Sequence, residues 1–144
     1  MQEIADNHER IRWALMDVTD EASVVDTIAG AGEIDILIAN AGIAETMPLA
    51  KTTMDLWRRV QAVNVEGTIN ILEVARNNGL KRLAYASSSA IHGMPPGGPT
   101  IATLYGAYKL ANEYTAKVYA LDWGVPSVGI RPNVVYGVGR DLGM

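Results

Sequence analysis

A tyrosine and a lysine four positions apart are the residues of this chain best suited to do chemistry. Tyr105 and Lys109 lie in a segment with helical spacing, where residues four apart share one face. An ammonium group beside a phenol favours the phenolate, which suits the tyrosine to act as a general acid and base. The serines Ser87, Ser88 and Ser89 lie upstream and can supply a hydroxyl that holds a carbonyl or alcohol oxygen. Together these groups predict oxidation or reduction of an alcohol/carbonyl pair, with a bound nicotinamide carrying the hydride.

Hydrophobic periodicity predicts strands and helices that alternate along the 144 residues. The predicted strands are Ile11 to Met16, Ile34 to Ala39, Arg82 to Ala86 and Ser127 to Arg131. The predicted helices run from Asp20 to Ala29, Thr53 to Asn77 and Tyr105 to Trp123. The Ile34 run is almost continuously apolar, as is typical of a strand covered on both faces. The alternation predicts a single α/β domain built on a doubly wound parallel sheet.

Composition excludes several classes of function. The net charge is −4 with both signs scattered, so neither nucleic acid nor a membrane surface is an expected partner. The chain has no cysteine, which excludes disulfides and thiolate metal sites, and its two histidines do not form a metal cluster. No apolar run is long enough to span a bilayer. We therefore expect a cytoplasmic protein without a bound metal.

Polar and small residues follow two of the predicted strands, where open parallel sheets bind ligands. Asp17 ends the first strand, and its carboxylate can accept the amino group of an adenine; the alternative is a cap for the following helix. Asn40, Ala41 and Gly42 end the Ile34 strand, and small residues there let a flat adenosine approach the backbone. The alternative for these three residues is a plain strand-end turn.

Two further residues need a choice between roles. Asn64 lies in the middle of a long predicted helix, where asparagine is a poor helix former, so a polar task is expected. The alternative, which is compatible with it, is a buried side chain that satisfies a kink. Tyr108 is the rival of Tyr105 as the catalytic phenol, but it adjoins Lys109 in sequence and so lies off its face. Tyr105 is preferred.

These motifs, in this order from about Ile11 to Gly139, resemble the short-chain dehydrogenase/reductase superfamily. The serines followed by Ala90 and Gly93, and the segment from Arg131 to Gly137, are similar to its extended branch of NAD(P)-dependent epimerases, dehydratases and dehydrogenases. The resemblance implies a Rossmann-like fold, NAD or NADP as cofactor, a small-molecule substrate such as a nucleotide sugar, and a homo-oligomer.

The resemblance also implies roles for individual residues. Tyr105 is the acid/base, Lys109 tunes it and holds the nicotinamide ribose, and Ser89 holds the substrate oxygen. Asn64 supports the site by distorting its helix and holding a water near the lysine. The cofactor-binding residues implied are Asp17, Val18, Ala39, Asn40, Ala41, Gly42, Ser87, Ser88, Tyr105, Lys109, Pro132 and Val134.

The chain departs from the family pattern at its start. It has no glycine-rich phosphate loop that opens a helix, because Gly30 and Gly32 follow a predicted helix instead. We therefore interpret residues 1–144 as one partial, truncated NAD(P)-binding domain that lacks the N-terminal phosphate-binding βαβ unit and the C-terminal substrate domain. The missing strands would leave an open edge beside Ile34 to Ala39. Self-association, direct pairing with the Ile11 strand, or both are expected.

Three functions remain open from the sequence. The first is an NAD(P)-dependent epimerase, dehydratase or dehydrogenase, favoured by the Ser/Tyr/Lys set. The second is a catalytically silent Rossmann-like fragment that self-associates, favoured by the absent phosphate loop. The third is a small-carbonyl reductase of the single-domain branch, favoured by Asn40-Ala41-Gly42, which resembles the signature of that branch with Ala39 in place of an asparagine.

Overall fold

The computed structural model describes residues 11–43, 52–93, 103–133 and 135, and they form an α/β unit on a parallel sheet. Its three strands are β1 (Leu37–Ala39), β2 (Leu83–Ala86) and β3 (Ser127–Ile130), in the spatial order β1-β2-β3. Both pairings are parallel. Since every strand is followed by a helix before the next one, the architecture agrees with the predicted Rossmann-like fold.

Helices form the connections between the strands. They are α1 (Glu21–Ala31), α2 (Met54–Gln61), a π-helical turn (Ala62–Glu66), α3 (Gly67–Asn77) and α4 (Leu104–Trp123). The segment from α2 through α3 is continuous, so the long helix predicted from Thr53 to Asn77 is confirmed.

The helix ends follow from short polar residues and glycines. Asp20, Thr53 and Thr103 cap the starts of α1, α2 and α4 through side-chain oxygens that accept backbone N–H groups. Gly79 and Gly124 follow α3 and α4 with φ of 61° and 64°, a conformation that favours glycine. These stops agree with the predicted ends of both helices.

The core lies on one face of the sheet. Leu83 and Tyr85 of β2 are buried there, against residues of α1, α3 and α4 that include Val24, Leu72 and Ala116. On the opposite face, three strand residues are 53–64% exposed: Ile38, Val128 and Ile130. The described part of the chain therefore contains one layer of helices, and the expected cover on the second face of the Ile34 run is not seen within it.

Two predictions about strands are wrong. Ile11 to Met16 has no strand in the structure, and Leu15 is 90% exposed. The strand predicted from Ile34 starts only at Leu37, and within the described ranges β1 pairs with β2 alone. The direct pairing expected between these two segments is therefore absent. The reason is that an extended segment needs a neighbouring strand to satisfy its backbone groups. The Ile11 segment instead contacts α1: Arg12 Nη2 donates to the Ala31 carbonyl at 3.0 Å, and the Leu15 carbonyl accepts the Thr27 hydroxyl at 3.5 Å. Self-association stays a prediction.

A cluster of polar and aromatic side chains fastens α3 to α4. The Tyr119 hydroxyl donates to Glu73 Oε1 at 2.5 Å, and Arg76 pairs with the other oxygen of Glu73 at 2.8 Å. Burial, with Glu73 adding to it, raises the pKa of Tyr119 to about 12. Trp123 packs against Tyr119 with ring centroids 4.7 Å apart and receives the Arg76 guanidinium on its face. This cluster joins α3 to α4, the helix that carries Tyr105 and Lys109.

We expect Gly106→Ala to destabilise the fold. A Cβ at Gly106 would lie 3.0 Å from the Ala90 carbonyl carbon and closer still to its oxygen, and backbone atoms cannot easily move away. The overpacking should lower the free energy of unfolding by about 1–3 kcal/mol. The matched control is Gly30→Ala in α1, where a Cβ meets nothing within 4 Å. The control should raise stability by about 0.5–1 kcal/mol.

Urea unfolding followed by circular dichroism measures both variants. Equal stability changes in the two would mean that the first turn of α4 does not need close contact with the Ala90 backbone.

Candidate active site

Asn64 connects the distorted helix to the end of β1. It lies in the π-helical turn and is fully buried. Its Oδ1 accepts the Ile43 N–H at 3.2 Å, and its Nδ2 donates to the carbonyls of Ile43 (2.8 Å) and Val60 (3.0 Å). A π turn widens the helix by one residue and is common at functional sites. The helix is thus distorted at Asn64, as predicted, and its side chain holds the loop that follows β1.

The backbone carbonyl of Asn64 is also engaged. It accepts Asn112 Nδ2 at 2.7 Å and the Thr68 hydroxyl at 3.1 Å, so both of its lone pairs are used. The role of Asn64 in holding a water near the lysine stays a prediction. Sequence reasoning missed Asn112, although its position inside a helix is the same signal that singled out Asn64.

Lys109 lies where the ends of β1 and β2 meet the π turn. Its side chain is among the buried ones, with 3% of the residue exposed, and its Nζ donates to the Ala86 carbonyl at 2.7 Å. A Cβ added to Gly42 would lie 3.6 Å from this Nζ and 2.9 Å from Asn64 Oδ1. Burial lowers the pKa of Lys109. Gly42 therefore has a steric reason to be glycine, because the lysine and the asparagine occupy the space of a side chain.

Tyr105 and Lys109 are neighbours, as their spacing predicted. Lys109 Nζ lies 5.6 Å from the centroid of the Tyr105 ring. Tyr108 is instead buried, and burial raises its pKa, with an opposing effect from the adjacent Trp57 indole. A phenol with a raised pKa that is packed beside an indole is a poor proton donor and acceptor, which favours Tyr105 as the reactive phenol.

Ser89 begins a short 3-10 helix, Ser89–His92, that packs against α4 at Gly106. Its N–H donates to the Pro132 carbonyl at 3.1 Å, and its hydroxyl lies 3.4 Å from Asn133 Oδ1. Ser88 caps this helix, because its hydroxyl accepts the Ala90 N–H at 3.1 Å. The serine is thus fixed at the carboxyl end of the sheet, against the first turn of the helix that carries Tyr105.

Ser87 has a task that the sequence did not predict. It is 1% exposed, and its hydroxyl donates to Glu113 Oε1 at 2.5 Å. Arg131, which directly follows β3, donates to both oxygens of Glu113 at 2.6 and 2.7 Å. Glu113 therefore clamps the ends of β2 and β3 to α4. The proposed cofactor role of Ser87 stays a prediction.

We expect Glu113→Gln to flatten the acid limb of the stability profile. Hydrogen bonds from Arg131, first, and from Ser87 hold the pKa of Glu113 below its ordinary value of 4.5. A carboxyl with a lowered pKa stabilises the fold above its unfolded pKa, and that stability is lost as the pH falls through the folded pKa. Urea unfolding between pH 3 and 6 should thus show a steeper acid loss in the parent than in the variant. A variant at the exposed Glu66, Glu66→Gln, should keep the slope of the parent. Parallel profiles for all three proteins would contradict a structural role for Glu113.

Asp17 and Val18 form a turn that docks on α3. Asp17 Oδ1 accepts the N–H (2.9 Å) and the hydroxyl (2.8 Å) of Thr19, and these bonds lower the pKa of Asp17. Asp20, not Asp17, caps α1, so the alternative reading of Asp17 as a cap is wrong. The Val18 carbonyl accepts Asn70 Nδ2 at 2.9 Å, a contact that the sequence did not predict. Asp17 is thus exposed, and its carboxylate is charged at neutral pH.

The other predicted cofactor residues lie in two groups. Ala39 ends β1 half-buried, with Asn40, Ala41 and Gly42 exposed directly after it. Pro132 is exposed after β3, and Val134 lies outside the described residues. Both groups are at the carboxyl ends of the strands, where α/β sheets bind dinucleotides. The binding of a cofactor by these residues stays a prediction.

The pyrophosphate end of a dinucleotide has a poorer fit to the described part of the chain. Gly32 caps the end of α1 with φ of 81°, so this glycine turn closes a helix, as the sequence indicated. Anions favour helix starts, not helix ends. A cavity of about 680 Å³ lies near this turn and reaches Asp35, Gly79 and Lys81, which precede the strands. None of the predicted site residues lines it.

A comparison of the chain with models of known protein families identifies its family. The model of the NAD-dependent epimerase/dehydratase family matches residues 2–143. The chain belongs to this family. This match confirms three predictions: the short-chain dehydrogenase/reductase superfamily, a Rossmann-like fold, and NAD or NADP as the cofactor class.

Curated relatives match most of the chain. An uncharacterized protein of Methanocaldococcus jannaschii is 30% identical over 94% of this chain and 42% of its own length. D-threitol dehydrogenase of Mycolicibacterium smegmatis is 32% identical over 83% of this chain and 46% of its own length. The NADP-dependent (R)-specific alcohol dehydrogenase of Lentilactobacillus kefiri is 32% identical over 88% of this chain and 52% of its own length. The chain thus spans about half the length of the curated relatives it matches.

Solved structures agree with the fold. An alcohol dehydrogenase of Thermococcus sibiricus in complex with 5-hydroxy-NADP superposes with a TM-score of 0.73 at 19% identity, covering 93% of this chain and 61% of that one. ElxO with NADP bound superposes with a TM-score of 0.71 at 26% identity, covering 88% of this chain and 54% of that one. Within the described residues of the epimerase/dehydratase chain, no helix is long and apolar enough to cross a membrane.

Proposed function

We propose that this protein is an NAD(P)-dependent oxidoreductase that acts at an alcohol or ketone carbon of a small molecule. One observation carries the proposal: a buried ammonium, Lys109, is held by the Ala86 carbonyl within 5.6 Å of the Tyr105 ring centroid. Burying a cation is unfavourable unless it has a task or a partner. Its hydrogen-bond partner here is a neutral carbonyl, so the charge remains effective at the phenol.

Each residue of the site has a definite part in this reaction. The Tyr105 hydroxyl gives its proton to the carbonyl oxygen during reduction and takes it back during oxidation. Lys109 stabilises the phenolate that forms. Ser89 donates a hydrogen bond to the same substrate oxygen. Asn64 fixes the Gly42 loop next to the lysine. The nicotinamide, when bound, supplies or accepts the hydride.

The cofactor would be held by the residues at the carboxyl ends of the strands. Asp17, in the exposed turn before α1, would accept the adenine amino group, and Lys109 would bond the ribose hydroxyls. A nucleotide sugar is one class of substrate within this proposal. Assembly as a homo-oligomer and a cytoplasmic location belong to the same proposal.

Fluorescence titration with NADH and NADPH tests the proposal. Binding to the protein should change the emission of the reduced nicotinamide with saturation. Lys109→Met should weaken binding about tenfold or more, because a buried charged hydrogen-bond donor is lost. Lys117→Met, at an exposed position of the same helix, is the control and should bind like the parent. No saturable change with either nucleotide would contradict the proposal.

Two other functions have support of their own. The names of the two dehydrogenase relatives favour a small-alcohol or small-carbonyl oxidoreductase over an enzyme for nucleotide sugars. The exposed apolar face of Ile38, Val128 and Ile130 favours a silent module that self-associates. Light scattering after size exclusion distinguishes this module: a dimer or larger species that binds neither nucleotide is its signature.

A further inference from the structure

Arg131 forms an ion pair with Glu113, which lies on the same helix as Tyr105 and Lys109. Both oxygens of Glu113 receive Arg131, with Nε on Oε1 and Nη2 on Oε2, and the Ser87 hydroxyl adds a third hydrogen bond on Oε1. The Glu113 side chain is 15% exposed and that of Arg131 is 46% exposed. Such a two-pronged pair is both strong and directional. Both oxygens of the Glu113 carboxylate are therefore engaged by hydrogen bonds from Arg131, and Oε1 also by that from Ser87.

Lys109 is the residue that would otherwise take this carboxylate. It lies four positions before Glu113 on α4, a spacing at which opposite charges pair. Lys109 Nζ contacts the Ala86 carbonyl and Glu113 contacts the hydroxyl of the next residue, Ser87, so the two charged groups approach consecutive residues. Yet the ammonium donates to a neutral carbonyl oxygen, and the carboxylate turns to Arg131.

The charged and titratable neighbours of the two groups differ. Around Glu113 they are Tyr85 from β2, Arg131 directly after β3, and His92 from the 3-10 helix. Around Lys109 the neighbour is Tyr105 on its own helix, while the π turn and the β1 loop offer the neutral Asn64 and Gly42. The ammonium thus lies near the Tyr105 ring, while the carboxylate pairs with Arg131.

We propose that Arg131 is a positioning residue, which holds Glu113 away from Lys109 so that the charge of the ammonium acts on Tyr105. In a site with little water, a carboxylate paired with the lysine would largely cancel its field at the phenol. The proposal rests on the proposed function only for the task of Tyr105, because the pairing itself can be measured without catalysis.

The titration of Lys109 gives the direct test. Protein labelled with ¹³C at lysine Cε has four lysines to resolve, and Lys109→Arg assigns the signal. In Arg131→Met the released Glu113 pairs with the ammonium, so the pKa of Lys109 should rise by about one pH unit or more. In the double variant Arg131→Met/Glu113→Gln the carboxylate is gone, and the titration should return to that of the parent. A purely mechanical loss of the clamp would not be reversed by the second change.

Two results would overturn the proposal. One is a folded Arg131→Met protein, with the circular dichroism of the parent, whose Lys109 titrates unchanged. The other is a rise that persists in the double variant. If Arg131→Met fails to fold, Glu113→Gln alone tests the proposal. If Arg131 keeps Glu113 away from Lys109, the pKa of Lys109 in this variant should equal that of the parent. A fall in the pKa of Lys109 would mean that Glu113 already acts on the lysine, which contradicts the proposal. A protein that binds neither NADH nor NADPH refutes the proposed function but leaves this titration meaningful.

Discussion

Tyr105→Phe should lower kcat for oxidation or reduction by about 10²–10⁴-fold, which is the usual contribution of a general acid or base. KM should change little, because the lost hydroxyl acts on the transition state and the aromatic ring remains. The structural reason is the position of Tyr105 beside the buried Lys109, with Nζ 5.6 Å from its ring centroid. Steady-state kinetics with a carbonyl substrate and NADPH or NADH measures the effect.

Tyr108→Phe is the matched control for this experiment. Tyr108 lies on the same helix, three residues further, and is buried next to Trp57, where burial raises its pKa. Its replacement should leave kcat within a few-fold of the parent, because that phenol does not face the ammonium. If Tyr108→Phe were the inactive variant and Tyr105→Phe the active one, the assignment of the phenols would be reversed.

The sequence was a good guide to the helices and to the pair they carry. The start at Asp20 and the stop at Gly124 are local signals, because they depend on residues within one helical turn. The approach of Tyr105 to Lys109 is local in the same way, since one helix fixes it. Asn64 could be singled out because its residue type conflicts with its place in a helix.

Contacts between distant parts of the chain could not be predicted in the same way. The bond from Asn70 to the Val18 carbonyl joins residues 52 positions apart, and the Ser87–Glu113 bond joins residues 26 apart. No periodicity in the sequence encodes such pairs. The Ile11 segment shows the converse error: its apolar alternation is typical of a strand, but a strand forms only where a neighbouring strand pairs with it.

The loop after β1 depends on Asn64, and Asn64→Ala should therefore be among the most destabilising single changes in the chain. It removes three side-chain hydrogen bonds, and leaves the N–H and carbonyl of Ile43 and the carbonyl of Val60 without them. Unsatisfied buried polar groups cost about 1–3 kcal/mol each, so a total loss of about 3–5 kcal/mol is expected. Since small domains have roughly 5–15 kcal/mol in all, this is a large share of the stability.

Asn77→Ala provides the comparison, because Asn77 is an exposed residue at the end of the same continuous helical segment. That change should alter stability by less than about 0.5 kcal/mol, as is usual for surface positions. Urea unfolding gives both values, and hydrogen exchange at the Ile43 amide reports the loop directly. Only Asn64→Ala should speed exchange there, because the Ile43 N–H loses its acceptor. Slow exchange at Ile43 in a destabilised Asn64→Ala protein would mean that the loop is held by packing, and that the polar task of Asn64 lies in the helix alone.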